Sequence, residues 1–286
     1  MFKGSAVAIV TPFNEDYSVD YKTLEALLNW HVEQKTDAIV ITGTTGEAST
    51  LTNKEHLEVI KFAVDVIDGR ISVIAGTGSN DTHHMVYLSQ KAQECGADAL
   101  LCVTPYYNKA TQEGLYQHFS VLAKAVDLPI ILYTVPSRTN VEIDVETVIR
   151  LSKYDNIIGI KDATGNLAYT EEIIKNLPDF YVYSGNDDLI YDLVELGGHG
   201  VISVVANIYP NETHKLVKAY LDGDKEEAKN IQTELMRVID HLFVEPNPIP
   251  VKYAMQELKL IPSGTLRLPL TTLSAKFHAG LEENLK

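Results

Sequence analysis

Lys161 closes the run Ile157-Ile158-Gly159-Ile160-Lys161, an apolar stretch that reads as a β-strand ending in an amine. Alternation along a strand places Ile157, Gly159 and Lys161 on one face. If that face turns inward, Gly159 leaves room beside the amine. A desolvated lysine holds its proton less tightly, so more of it is the neutral nucleophile that attacks a ketone and forms an imine. Taken alone, the segment also fits a lysine that snorkels from a strand end into water.

Three other segments place reactive groups at strand ends. Gly43-Thr44-Thr45-Gly46-Glu47 offers backbone amides and hydroxyls that could hold a small carboxylate or pass a proton, or it is a polar turn before a helix. Thr104-Pro105-Tyr106-Tyr107-Asn108 follows another apolar run, and Tyr133 is followed by Val135-Pro136-Ser137-Arg138. Tyr133 is a plausible acid or base, and Arg138 a fork for a carboxylate. A strand-end tyrosine is more often packing than chemistry, but coincidence of all these groups at one rim is much rarer.

The elements that would carry them recur along 286 residues. Short apolar runs at Ala6–Val10, Ala38–Thr42, Ser72–Gly76, Ala99–Val103, Pro129–Tyr133, Ile157–Lys161, Tyr181–Ser184 and Val201–Val204 alternate with helix-spaced segments. Examples of the latter are Leu24, Leu27, Leu28 and Val32, and Leu57, Ile60, Val64 and Ile67 behind a Thr52–Glu55 capping box. Eight such units predict an α/β fold, the closed (β/α)8 TIM barrel, in preference to an open doubly wound sheet, since no Gly-x-Gly-x-x-Gly follows the first strand. In a barrel, reactive side chains lie at the C-terminal ends of the strands. That rule relegates Gly197-Gly198-His199-Gly200, which precedes the last strand, to a structural turn. From Asp224 the pattern is helical, with Ala228, Ile231, Leu235, Val238 and Ile239 on one stripe. The expected division is a catalytic barrel over 1–223 and a helical C-terminal appendage over 224–286.

With 24 Lys and Arg against 39 Asp and Glu, the net charge of -15 argues against nucleic acid and anionic membrane surfaces as partners. Cys95 and Cys102 sit in apolar settings that suggest buried structural thiols rather than a redox pair. The nine histidines show no metal-binding spacing, so no metal is expected. No long apolar run or secretory leader is evident, which points to the cytoplasm.

The combination Gly43-Thr-Thr-Gly-Glu47, Pro105-Tyr-Tyr-Asn108, Tyr133-x-Val-Pro-x-Arg138 and Gly159-Ile-Lys-Asp-Ala163 resembles the dihydrodipicolinate synthase family of pyruvate-dependent class I aldolases. The likeness runs over essentially the whole chain, including Phe243–Lys252 and Leu266–Pro269. It implies a lyase that condenses pyruvate with L-aspartate 4-semialdehyde through a Lys161 Schiff base to give 4-hydroxy-tetrahydrodipicolinate, a committed step towards diaminopimelate and lysine, with no cofactor. By the same resemblance Tyr133, Thr44 and Tyr107 form a proton relay, with Tyr107 supplied by a neighbouring subunit of a homotetramer. The resemblance further implies that Thr45 holds the pyruvate carboxylate and Arg138 the semialdehyde carboxylate, with backbone carbonyls near Gly185 and Ile202 lining the pocket.

Two departures from the family pattern stand out. Thr134 replaces the usual asparagine after Tyr133. In the lysine-feedback site, Ser49, His56, Asn80 and Tyr106 fit, but Asn53 stands where inhibited relatives have histidine and His84 where they have glutamate. A carboxylate to pair with the ammonium of lysine is missing, so weak or absent lysine inhibition is expected. The rival readings are an N-acetylneuraminate lyase or 2-keto-3-deoxy sugar-acid aldolase, which would share Lys161, Tyr133 and the 43–47 loop, and a pyruvate-binding barrel without catalysis.

Overall fold

The computed structural model describes residues 1–285. Eight parallel strands close into a barrel in sequence order, with β1 paired to both β2 and β8. They are β1 (Gly4–Ala8), β2 (Ala38–Ile41), β3 (Ser72–Gly76), β4 (Ala99–Val103), β5 (Ile130–Thr134), β6 (Ile157–Asp162), β7 (Tyr181–Ser184) and β8 (Gly200–Ser203). The helices are α1 (Tyr21–Glu33), α2 (Asn53–Ile67), α3 (Thr82–Glu94), α4 (Gln112–Ala125), α5 (Pro136–Thr139), α6 (Val145–Leu151), α7 (Leu167–Asn176), α8 (Ile190–Glu195) and α9 (Pro210–Leu221). Beyond them come α10 (Lys225–Leu242), α11 (Ile249–Glu257) and α12 (His278–Glu283). No described helix is long and apolar enough to cross a membrane.

Alternation divides the apolar residues into two cores. Val7, Ile9, Ile39, Ile41, Leu100, Cys102, Ile130 and Leu132 face the helices, while Ala6, Ala8, Ala38, Val40, Leu101, Ile131, Tyr133 and Ile202 fill the interior. Near the N-terminal end of the barrel, Phe2 stacks on Tyr183 with ring centroids 4.4 Å apart, and the Tyr183 hydroxyl donates to the Phe2 carbonyl at 2.7 Å. The interior is packed there, and a cavity opens at the other end.

Several expected boundaries shift. β1 begins at Gly4 and β8 at Gly200, earlier than the branched residues suggest, because these two strands touch backbone to backbone. A Cβ on Gly200 would lie 1.8 Å from the Gly4 carbonyl oxygen. Within β6, pairing with β5 passes from Ile130–Ile157 to Ile131–Gly159 and skips Ile158. This bulge puts Ile157 in the outer core with Ile160, so Ile157 does not share the face of Lys161. Gly159 answers to a different neighbour as well: a Cβ there would meet the Tyr181 carbonyl oxygen at 2.5 Å.

The helix starts follow their caps. Thr52 and Glu55 form the reciprocal capping box of α2, and Asp20, Asp81, Thr111 and Asp224 accept first-turn amides in α1, α3, α4 and α10. The buried stripe of α2 is His56, Val59, Ile60, Ala63 and Ile67, rotated from the expected Leu57 and Val64. In α1 the stripe includes His31, while Val32 is only half-buried. Cys102 is buried, and Cys95 is half-buried.

After α9 the chain turns back over the barrel. The expected stripe of α10 is buried in full, and α10 packs on α8 and α9. The segment entering α11 then crosses the C-terminal mouth, where Asn247 Nδ2 donates to Thr45 Oγ1 at 2.9 Å.

Candidate active site

The C-terminal mouth holds a cavity of about 790 Å³ whose wall includes Thr44, Thr45, Tyr133, Arg138, Lys161 and Gly185. Lys161 points inward from β6 and is 5% exposed. Its Nζ lies 4.5 Å from the centre of the Tyr133 ring, the side chain paired with it across β5 and β6. Space beside the amine comes from Gly185, whose added Cβ would stand 3.0 Å from Lys161 Cε. This is the role expected of Gly159, transferred to the end of β7.

Burial pulls the Lys161 amine down to about 8, with the Asp187 carboxylate acting against that and the Arg138 charge acting with it. A fraction of the side chain is then neutral near pH 7, which nucleophilic attack requires. Burial raises the Tyr133 phenol, while the Arg138 charge and the Thr44 hydroxyl act the other way. Tyr133 therefore keeps its proton and can donate it.

Thr45 and the loop around it are held from the C-terminal appendage. Asn247 fixes Thr45 through its side chain and receives Arg138 Nη2 on its carbonyl at 3.1 Å. Glu47, at φ 52, turns into the protein and pairs with Lys252 at 2.5 Å, both side chains at 1% exposure or less. Its second oxygen accepts the Arg267 amide at 3.0 Å. Burial lowers the Lys252 amine to about 8, and Glu47 opposes this.

Not every expected residue meets in this cavity. Tyr107 is 91% exposed at φ 73 and lies outside the wall. Ile202 is fully buried in the barrel interior, and the wall at this strand end is formed by Val204. Asn80 also lies outside it, where its carbonyl accepts Asn108 Nδ2 at 2.9 Å. Ser49, Asn53, His56, His84 and Tyr106 line the same cleft. There His84 Nε2 donates to Asn53 Oδ1 at 3.0 Å, and His56 Nε2 donates to the Gly76 carbonyl at 2.8 Å. Burial lowers His56 to about 4, so it is neutral. Thr134 is buried and accepts the Ile143 amide at 3.4 Å, so it supports the β5 end from behind the wall.

Among the described residues, none that lines the cleft is acidic, and its charged groups are Lys161 and Arg138. A chain of net charge -15 thus encloses a locally cationic pocket suited to small carboxylates. Asp187, Asn247 and Lys252 were not singled out as site residues from the sequence. A lysine in the middle of the buried run Ile249-Pro250-Val251-Lys252 is the one clear signal among them. No group of three or more potential metal-binding His, Cys, Asp or Glu side chains occurs among the described residues.

A family model, described as the Dihydrodipicolinate synthetase family, matches residues 1–286. The 4-hydroxy-tetrahydrodipicolinate synthase of Caldicellulosiruptor saccharolyticus is 54% identical over 285 residues, covering 100% of this chain and 96% of that protein. The crystal structure of dihydrodipicolinate synthase from Aquifex aeolicus superposes with a TM-score of 0.97 at 49% identity, covering 99% of this chain and 97% of the other. That of the chloride-inhibited enzyme from Acinetobacter baumannii, complexed with pyruvate, gives 0.97 at 48% identity over 100% and 98% of the two chains.

Proposed function

The chain belongs to the dihydrodipicolinate synthetase family, and from that premise we propose that it condenses pyruvate with L-aspartate 4-semialdehyde to give 4-hydroxy-tetrahydrodipicolinate. The observation that carries this reading is Lys161, a buried amine drawn down to about 8 in a cationic pocket beside Tyr133. Neutral Lys161 attacks the ketone carbon of pyruvate, the oxygen leaves as water with one proton from the amine and one from Tyr133, and a protonated imine remains. That cation withdraws electrons from the methyl group, which returns a proton to the Tyr133 oxygen to give an enamine. The enamine carbon attacks the aldehyde, Tyr133 supplies the proton to the new hydroxyl, and the substrate amine closes the ring and displaces Lys161.

Thr45 is assigned to the pyruvate carboxylate and Arg138 to that of the semialdehyde, with Gly185 and the Ile202 carbonyl bounding the pyruvate end. Thr44 continues the proton relay from Tyr133. Tyr107 completes the relay only if it enters a neighbour's cavity, and its 91% exposure in its own subunit favours that arrangement within a homotetramer. Residues 1–223 carry the chemistry in this account, and 224–286 hold its mouth in shape.

Two measurements test the reading. Borohydride with pyruvate should add a reduced pyruvyl group at Lys161, located by mass spectrometry. Turnover of pyruvate with aspartate semialdehyde, coupled to a reductase, should then be observed. An unmodified Lys161, or cleavage of a sugar acid in place of the coupled turnover, would refute the assignment.

A further inference from the structure

Asp187 lies just past the end of β7, two residues beyond the Gly185 that packs against Lys161 Cε. It is 1% exposed. Its Oδ2 accepts the amides of Val204 at 3.1 Å and Val205 at 2.8 Å, so it ties the end of β8 to the end of β7. Its Oδ1 is buried and accepts neither amide, and the Ser203 hydroxyl is the one side-chain donor that bears on the carboxyl.

A cap for two amides needs one oxygen, and an asparagine would supply it. A second carboxylate oxygen in the interior that takes no amide costs stability, and a buried charge costs more. The carboxylate therefore answers to something besides the strand end. The charged groups that bear on Lys161 are Arg138 from α5 and Asp187, with the Tyr133 ring of β5 beside the amine. Of these, Asp187 is the one acid: burial raises its carboxyl, and the Val205 amide, the Ser203 hydroxyl, the Val204 amide and the Lys161 charge act the other way.

We propose that Asp187 is a positioning residue that acts as the remote counter-ion of the Lys161 nitrogen, favouring its cationic imine without pairing with it directly. The inference rests on the imine chemistry proposed above. When the amine bonds to the ketone carbon and water departs with one proton from the amine and one from Tyr133, the nitrogen keeps one proton and a positive charge in a buried site. Transfer of a methyl proton to the Tyr133 oxygen then sends the C–H electron pair into a new C=C bond and the C=N pair onto nitrogen. That step requires the imine to stay protonated. A contact ion pair would also hold the free amine as ammonium and suppress attack, whereas a fixed charge behind the pocket wall supports the cation more gently.

The test is Asp187→Asn, which keeps an oxygen for the two amides and removes the charge. Borohydride trapping with pyruvate verifies in the same samples that the site still forms its adduct. Wild-type protein that does not trap would instead reject the imine reading itself. Exchange of the pyruvate methyl protons with deuterium, which needs no aldehyde, is expected to slow at least about tenfold. The acid limb of kcat/KM for pyruvate should move at least about half a unit to lower pH, since loss of a nearby negative charge favours the neutral amine. If exchange stays within twofold or the limb does not move, Asp187 is only a cap and the proposal fails. A second readout needs no variant: with ¹⁵N-lysine, the wild-type pyruvate adduct should show a protonated imine nitrogen at about pH 8. An unprotonated nitrogen there overturns the proposal even if the variant does not fold.

Discussion

Lys252 of α11 and Glu47 of the loop after β2 form an ion pair at 2.5 Å with both side chains buried, and Lys252 also donates to the Thr265 carbonyl at 2.9 Å. The pair fastens the appendage to the loop that carries Thr44 and Thr45. Lys252→Met leaves Glu47 buried without its counter-ion, keeping only the Arg267 amide, so a loss of about 3–5 kcal/mol in denaturant unfolding is expected. Replacing Glu47 by Leu in the same chain should recover most of it, because removing both charges removes the unpaired one. A single variant as stable as wild type would contradict this.

The Lys161 amine gives a pH profile with a definite sign. Its reactive form is deprotonated, so kcat/KM for pyruvate should climb with pH and level off above about 8. At pH 7 only about one tenth of it is neutral. A profile flat from pH 6 to 9, measured under pyruvate-limited conditions, is the contrary result.

Arg138 is assigned to one substrate only. Arg138→Ala should weaken semialdehyde binding by about 1.5–3 kcal/mol, roughly 10- to 100-fold in its KM, while pyruvate trapping at Lys161 stays near wild type. Equal losses for both substrates in steady-state kinetics would reassign the residue.

Tyr133→Phe keeps the ring beside Lys161 and removes the proton. A fall in kcat of about 10²–10⁴-fold is expected, with the fold intact by circular dichroism. A change smaller than threefold would remove Tyr133 from the relay.

Lysine should inhibit weakly or not at all, because Asn53 and His84 line the cleft and no acidic side chain among the described residues does. Half-inhibition below about 1 mM, equivalent to roughly -4.1 kcal/mol of binding, would show that the ammonium is held by some other group.

What the sequence makes legible follows from how local each signal is. Lys161 and Tyr133 close apolar runs, and the Thr52–Glu55 cap is written within four residues, so both sites and starts can be read directly. The bulge at Ile158 depends on how β6 aligns with β5, and no property of Ile158 announces it. Gly4 and Gly200 look like loop residues until their strands meet. Asp187 is hidden for a related reason: Asn186-Asp187-Asp188 resembles a solvated turn, and only the amides of Val204 and Val205 reveal its burial. Asn247 and Thr45 are joined across 202 positions, a distance over which no spacing rule operates.

The stacked rings of Phe2 and Tyr183 turn the barrel into a cul-de-sac. On the mechanism proposed above, pyruvate, expelled water, aldehyde and product share one doorway, with buried Lys161 deeper than the exposed Arg138 assigned to the second guest. Traffic therefore has an order: the ketoacid must enter and its water depart before the aldehyde occupies the threshold.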